Sequence, residues 1–205
     1  MLLLLLPVTA WSAALELGPL LKSMARPAPA RTRFVEAHFS SMLSRPLVVS
    51  GELQYLGPDA LARTVQAPYV EHTEVHGENV TVQRDSGKPR YFSLKRAPEM
   101  RSLLGSFAAL LSGDQAALER QFDLKLDGDG DAWTLQLTPR DPHVRQRVRV
   151  ITVNGKGSEP RCITTSEPND NTTVTLLAEA AKTTLPQAPD RAWLEAQCRG
   201  AHSSG

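Results

Sequence analysis

The chain has 205 residues, 41% of them hydrophobic, which suffices for one domain with a sizeable core. A formal net charge of +1 excludes the basic footprint of a nucleic-acid binder and gives no preference for acidic substrates. With 5% aromatic residues, platforms for base stacking are scarce as well.

Residues Met1–Ala14 open on five consecutive leucines and end in small residues, Ser12 and Ala14. The apolar run is too short to cross a bilayer as a helix and fits the core of a signal peptide. No cysteine follows it, which argues for export and release rather than a lipid anchor. Domain boundaries follow: a leader over 1–14 and a single domain over 15–205.

A short helix, Leu15 to Met24, precedes a Pro/Ala/Arg connector, Ala25 to Arg33. From Phe34 the period becomes two. Val35, Ala37 and Phe39 alternate with Glu36, His38 and Ser40, and Val49, Leu53 and Tyr55 alternate with Ser50, Glu52 and Gln54. Further strands are predicted at Leu61–Val65, Val70–Val75, Val80–Gln83 and Arg90–Leu94, separated by Gly57-Pro58-Asp59, Pro68 and His76-Gly77-Glu78. Short alternating runs broken by turn residues indicate an antiparallel sheet or barrel.

The pattern then turns helical. Met100, Leu103, Leu104, Phe107, Leu110 and Leu111 fall on one face, with Pro98 in the first turn and Gly113 at the stop. A second helix, Asp114 to Gln121, takes Asp114 as its cap. Strands return at Phe122–Leu126 and Trp133–Leu137, and Val144, Val148 and Val150 predict another, with Arg145, Arg147 and Arg149 as a basic row on its other face. Asn154-Gly155 predicts a hairpin turn, residues 161–166 and 172–178 two last strands, and Asp190–Arg199 a terminal helix.

Nothing here carries catalysis. Asp127-Gly128-Asp129-Gly130-Asp131 resembles the start of a calcium loop but lacks the distant glutamate and lies between strands, so it reads as a hairpin turn. His72 and His76 on a strand stand roughly 13 Å apart, too far for one ion, and read as surface histidines. Gly155-Lys156-Gly157-Ser158 lacks the strand-to-helix context of a phosphate loop, and nucleophile elbows and zinc-protease motifs are absent from the sequence. No cofactor is implied. The two cysteines, Cys162 and Cys198, form a bridge from a strand to the terminal helix in an oxidising compartment, or remain free thiols. Their spacing does not suit zinc.

The stripe from Met100 to Leu111 serves either as ordinary core or as a lid over an apolar cleft. Acyl chains fill such a cleft favourably, at about 0.8 kcal/mol per buried methylene.

The segment Phe34 to Gln83 resembles the periplasmic lipoprotein carrier LolA and its relatives. Phe34-Val35-Glu36-Ala37-His38-Phe39 is similar to the family's first strand, Gly51-Glu52-Leu53-Gln54-Tyr55-Leu56 to its G-x-L strand, and Gly57-Pro58-Asp59-Ala60-Leu61-Ala62-Arg63 with Pro68 to the following turn and strand. Gly77-Glu78-Asn79-Val80-Thr81-Val82 is similar to its hairpin. Beyond Arg90 only the order of elements agrees, as in a divergent LolA-related branch.

The resemblance implies an α+β fold: a strongly curved antiparallel sheet, an unclosed β-barrel, with helices covering its concave face. It also implies a non-enzymatic, monomeric carrier in the periplasm. Such a carrier takes an acylated lipoprotein or lipid from an inner-membrane exporter to an outer-membrane acceptor. Val49, Leu53, Tyr55, Leu61, Val65, Val80, Val82, Phe92 and Leu94 would line the sheet side, and Met100, Leu103, Leu104, Phe107 and Leu111 the lid. Arg63 would hold the lid or the cargo headgroup, whereas the place of the family's arginine before the turn proline is taken here by Gly57. Two alternatives share the fold: a periplasmic sensory module, which normally has a second domain, and a carrier of an aryl-polyene-type lipid.

Overall fold

The computed structural model describes residues 15–200, and the predicted leader lies outside the described residues. In chain order the strands are β1 (Ala30–Phe39), β2 (Leu47–Gly57), β3 (Ala60–Ala67), β4 (Glu71–His76), β5 (Asn79–Arg84), β6 (Arg90–Ser93), β7 (Phe122–Gly128), β8 (Trp133–Pro139), β9 (Val150–Lys156), β10 (Glu159–Ser166) and β11 (Thr172–Leu177). The helices are α1 (Leu17–Met24), α2 (Pro98–Ser112), α3 (Gln115–Gln121), α4 (Pro142–Arg145) and α5 (Arg191–Cys198). The strands form one antiparallel sheet in the order β6-β5-β4-β3-β2-β1-β11-β10-β9-β8-β7.

Two meanders therefore make two arms, joined where β1 meets β11. Phe34 stands opposite Leu177 in that ladder, and Phe39 opposite Thr172. β6 and β7 are left as free edges, so the barrel stays open.

Residues opposite one another in a ladder share a face of the sheet. By that rule Leu53, Tyr55, Leu61, Arg63, Val65, Val80, Val82 and Phe92 stand on one face. α2 packs on this face and reaches both arms. Its Ala109 and Leu110 join Leu21 of α1, Leu118 of α3 and Phe122, Leu135 and Ile151 of the β7–β9 arm. Leu104, earlier in the same helix, packs instead against Val75, Val80 and Leu94 on the other arm. One helix touching both arms requires the sheet to curl around it. The predicted α+β class, a curved and unclosed sheet with helices on its concave face, is the observed one.

The terminal helix is the exception. α5 lies on the opposite face, where Leu194 and Cys198 pack with Ala37, Cys162, Val174 and Leu176. Asp190 Oδ1 caps it by accepting from the Trp193 amide at 2.7 Å. A disulfide joins Cys162 in β10 to Cys198 at the end of α5. The sheet is thus apolar on both faces along β1 and β11, which is why Phe34 and Ala37 are both buried although they are three residues apart.

Three predicted details are corrected. β1 begins at Ala30, inside the predicted connector, because the long β2 offers partners for Arg31 and Arg33 at Gln54 and Glu52. The predicted strand at Val144–Val150 is interrupted: Asp141 Oδ1 accepts from the His143 amide at 2.7 Å, Pro142 fills the first turn, and α4 forms. The basic row consequently disperses. Arg145 donates to the carbonyls of Pro139 and Arg140, and Arg149 to that of Pro168.

The third correction concerns Asn154-Gly155, which lies within β9; the turn comes at Gly157-Ser158. Gly155 is required for a different reason. A Cβ there would stand 2.0 Å from Trp133 Cζ2, so the indole lies directly on the strand. Gly155→Ala is expected to cost about 1–3 kcal/mol through overpacking, read as a lower denaturant midpoint at unchanged slope. An unaltered midpoint would show that the indole moves aside freely.

Candidate functional site

On the concave side, a cleft of about 520 Å³ opens beside α2. The volume falls within the range of small-molecule sites. It lies between the turns of the β1–β6 arm, at Pro58-Asp59 and Gly77-Glu78, and the α3–β7 and β8–α4 junctions of the other arm. Leu61, Val75, Leu94, Leu104 and Ala108 supply its apolar wall. Gly105 and Ala108 are the small residues of α2 facing this space, and their missing side-chain volume keeps it open.

The mouth is polar. Glu78 pairs with Arg101 at 3.0 Å and with Lys95 at 3.2 Å, which ties α2 to the β4–β5 turn. Arg140 pairs with Asp123 at 2.8 Å. The Gly77 amide donates to the Asp59 carbonyl at 2.7 Å, fixing the two turns of that rim to each other. Arg120 also lines the cleft and has no ion-pair partner among the described residues. Apolar walls with a charged rim suit an amphiphile: tail inside, headgroup at the mouth.

The predicted lining residues divide by position. Leu61, Leu94 and Leu104 line the cleft. Val49, Leu53 and Val65 pack instead with Phe34 and Leu177 near the middle of the sheet, where these side chains fill their own space. Val80, Val82 and Leu94 support Leu104, and Tyr55 is buried. Phe92, on the edge strand, is 43% exposed. In α2, Phe107 points toward the core formed with α1 and the β7–β9 arm, and Leu111 is half-buried. The side chains of Met100 and Leu103 lie outside what the structure describes. Val75, Gly105 and Ala108 were missed in the sequence. A valine alternating on β4 gave a usable signal, but small residues on a helix face gave none.

Arg63 contacts the sheet. Its Nη2 donates to Glu36 Oε1 at 2.9 Å, and its guanidinium lies 4.8 Å from the centre of the Phe34 ring. Thr175 Oγ1 donates to the other oxygen of Glu36 at 3.2 Å. This half-buried network braces β3, β1 and β11 across the join between the arms. Arg63→Met is expected to destabilise the fold by about 1–2 kcal/mol, because Glu36 loses its countercharge, while acyl-probe binding stays at the wild-type level. Loss of probe binding without loss of stability would return Arg63 to the cargo site.

The histidine pair is on the outer side of β4 with Glu74 between its members. Glu74 contacts His76 at 2.6 Å and His72 at 3.8 Å, and the His76 hydrogen bond holds its carboxyl below the ordinary range. Asp129 likewise lies below its usual value, because the Ala132 and Asp131 amides donate to it in the β7–β8 turn. Among the described residues, no cluster of histidine, cysteine and carboxylate side chains forms a metal site. No described helix is long and apolar enough to cross a membrane.

A family model described as outer membrane lipoprotein carrier protein LolA-like matches residues 9–201. No curated protein matches the chain. Among solved structures, the chain is similar to a LolA superfamily protein from Nitrosomonas europaea, with 10% identity over 80% of this chain and 90% of that one, at a TM-score of 0.47. It is also similar to LprF from Mycobacterium bovis, with 10% identity over 85% of this chain and 97% of that one, at a TM-score of 0.36. The MucA/MucB complex of Pseudomonas aeruginosa shares 15% identity over 87% of this chain and 60% of the matched chain, at a TM-score of 0.35.

Proposed function

The chain belongs to the LolA-like family of outer membrane lipoprotein carrier proteins, and from that premise we propose that it is a non-enzymatic carrier. It shields the acyl chains of a lipoprotein or lipid during passage across the periplasm to the outer membrane. Residues 1–14 act as the export signal and the remainder as one carrier domain. An exporter loads it and an acceptor unloads it.

The observation that supports this reading is the open cleft beside α2, with its wall of Leu61, Val75, Leu94, Leu104 and Ala108. Each methylene that enters it gains about 0.8 kcal/mol, so several methylenes provide useful affinity without a specific contact. Release needs only an apolar acceptor or a small displacement of α2. The wall is aliphatic, which favours saturated or polyene chains over ligands that stack on aromatic rings.

Titration with a fluorescent long-chain fatty acid tests the proposal. One saturable site per chain, displaced by unlabelled acyl lipid, is the expected result. Linear, unsaturable uptake would reject a built acyl site.

A further inference from the structure

We propose that the β5–β6 hairpin, with the turn that follows it, is a docking surface for an anionic lipid bilayer. From Arg84 to Arg96 the chain has five basic residues, Arg84, Lys88, Arg90, Lys95 and Arg96, against one acidic residue, Asp85. The whole chain is nearly balanced at +1, so this one segment is a concentrated positive patch.

Two of these cations are engaged within the fold. Arg84 pairs with Glu71 at 3.1 Å and lies over the Tyr69 ring, and Lys95 pairs with Glu78 at 3.2 Å. Lys88, Arg90 and Arg96 are exposed and have no ion-pair partner among the described residues. They are free to meet phosphate.

The same strand presents aromatic surface. Tyr91 is 76% exposed and Phe92 43% exposed. Tyr91 stands opposite Thr81 and Phe92 opposite Val80, so the two rings project from opposite faces of a free sheet edge. A strand carrying a ring on each side enters an interface edge-on. Aromatic rings settle at the headgroup level, and basic residues beside them are attracted to anionic lipid.

Addition of a peptide strand to this edge fits less well. β6 has only four residues, and Pro89 lies between Lys88 and Arg90 at its start. Short length, proline and basic side chains are the means by which edges avoid pairing. A lipid surface needs no register and tolerates all three.

The placement gives docking a consequence. Leu94 follows β6 directly and lines the cleft, and Glu78 of the same arm stands at the mouth, paired with Arg101 of α2. A bilayer held at β6 therefore lies beside the opening. This surface rests on charge and exposure, and it stands whether or not the cleft carries an acyl chain.

Vesicle flotation with the full chain tests it. Phosphatidylglycerol/phosphatidylethanolamine vesicles are compared with pure phosphatidylcholine vesicles, so any contribution of the leucine-rich leader appears equally in both. The expected result is binding to anionic vesicles that weakens as salt rises and is absent from the neutral ones above the leader's background. The triple variant Lys88→Glu, Arg90→Glu, Arg96→Glu should lose about a hundredfold or more of that affinity. Tyr91→Ser should lose several-fold while keeping the salt dependence. All four positions are solvent-facing, and unchanged circular dichroism confirms that folding is intact. Equal binding to both vesicle types, or full anionic binding by the triple variant, overturns the proposal. So does charge-dependent binding to a soluble glutamate-rich peptide with no binding to vesicles, which would identify an acidic protein segment as the partner.

Discussion

Leu104→Asp is expected to lose acyl-probe binding by at least tenfold while the protein stays folded. Leu104 packs on Val75, Val80 and Leu94 and forms part of the cleft wall, so a carboxylate there meets the hydrocarbon directly. An unpaired charge in an apolar site costs several kcal/mol, and the least costly escape is to keep the cleft hydrated and empty. Gly105→Leu provides the complementary test. A Cβ at Gly105 meets nothing closer than Gln121 Nε2 at 3.6 Å, so a side chain fits at its base and extends into the cleft. Replacing an interior helix glycine also adds up to about 1 kcal/mol of helix propensity. Stability should therefore rise as probe binding falls, a combination that general destabilisation cannot produce. Phe107→Asp should behave differently, because Phe107 joins the core with α1 and the β7–β9 arm. It should unfold the protein rather than only empty the cleft. Normal probe affinity in both Leu104→Asp and Gly105→Leu would locate cargo somewhere else.

Removing the bridge with Cys162→Ala and Cys198→Ala is expected to destabilise the chain by about 4 kcal/mol. The bridge spans a sequence separation of 36 residues, and closing a loop of that size in the unfolded chain has this entropic effect on the chain-entropy model. For a domain of this size the melting temperature should fall by about 10 °C. The loss should be accompanied by early hydrogen exchange in α5, which the bridge holds against β10 and β11. Acyl-probe affinity well below the melting point should be unaffected, since α5 packs on the face opposite the cleft. A shift below about 1 kcal/mol would mean that α5 holds its place by packing alone.

Most of the elements were legible because their signals are local. Alternation marked β1 to β5. Gly113 in the left-handed region and the Asp114 side chain accepting from the Ala117 amide gave the α2–α3 junction its residues. The failures have equally local causes. At Asp141-Pro142 a cap and a first-turn proline overrode the alternating valines, and the favoured turn pair Asn154-Gly155 reflects the Trp133 indole instead. The pairing of β1 with β11 leaves no periodic trace, since it joins residues more than a hundred positions apart.

The site was less legible than the fold. Alternation placed Val49, Leu53 and Val65 on the correct face but carried no information about which stretch of that face is packed and which is vacant. That depends on where α2 crosses the two arms. Charge was similarly ambiguous. Arg63, taken from the resemblance as a lid or headgroup contact, has Glu36 as its partner across two strands. Arg120, with no signal in the sequence, stands at the mouth.

Native mass spectrometry of the protein, isolated from its own cells without detergent, shows whether the space beside α2 holds a hydrocarbon tail. The expected spectrum has a mass increment of one acylated molecule per chain, absent from Leu104→Asp prepared in the same way. A bare polypeptide mass, in a protein that also takes up no acyl lipid when offered it, would mean that the cleft holds no acyl chain.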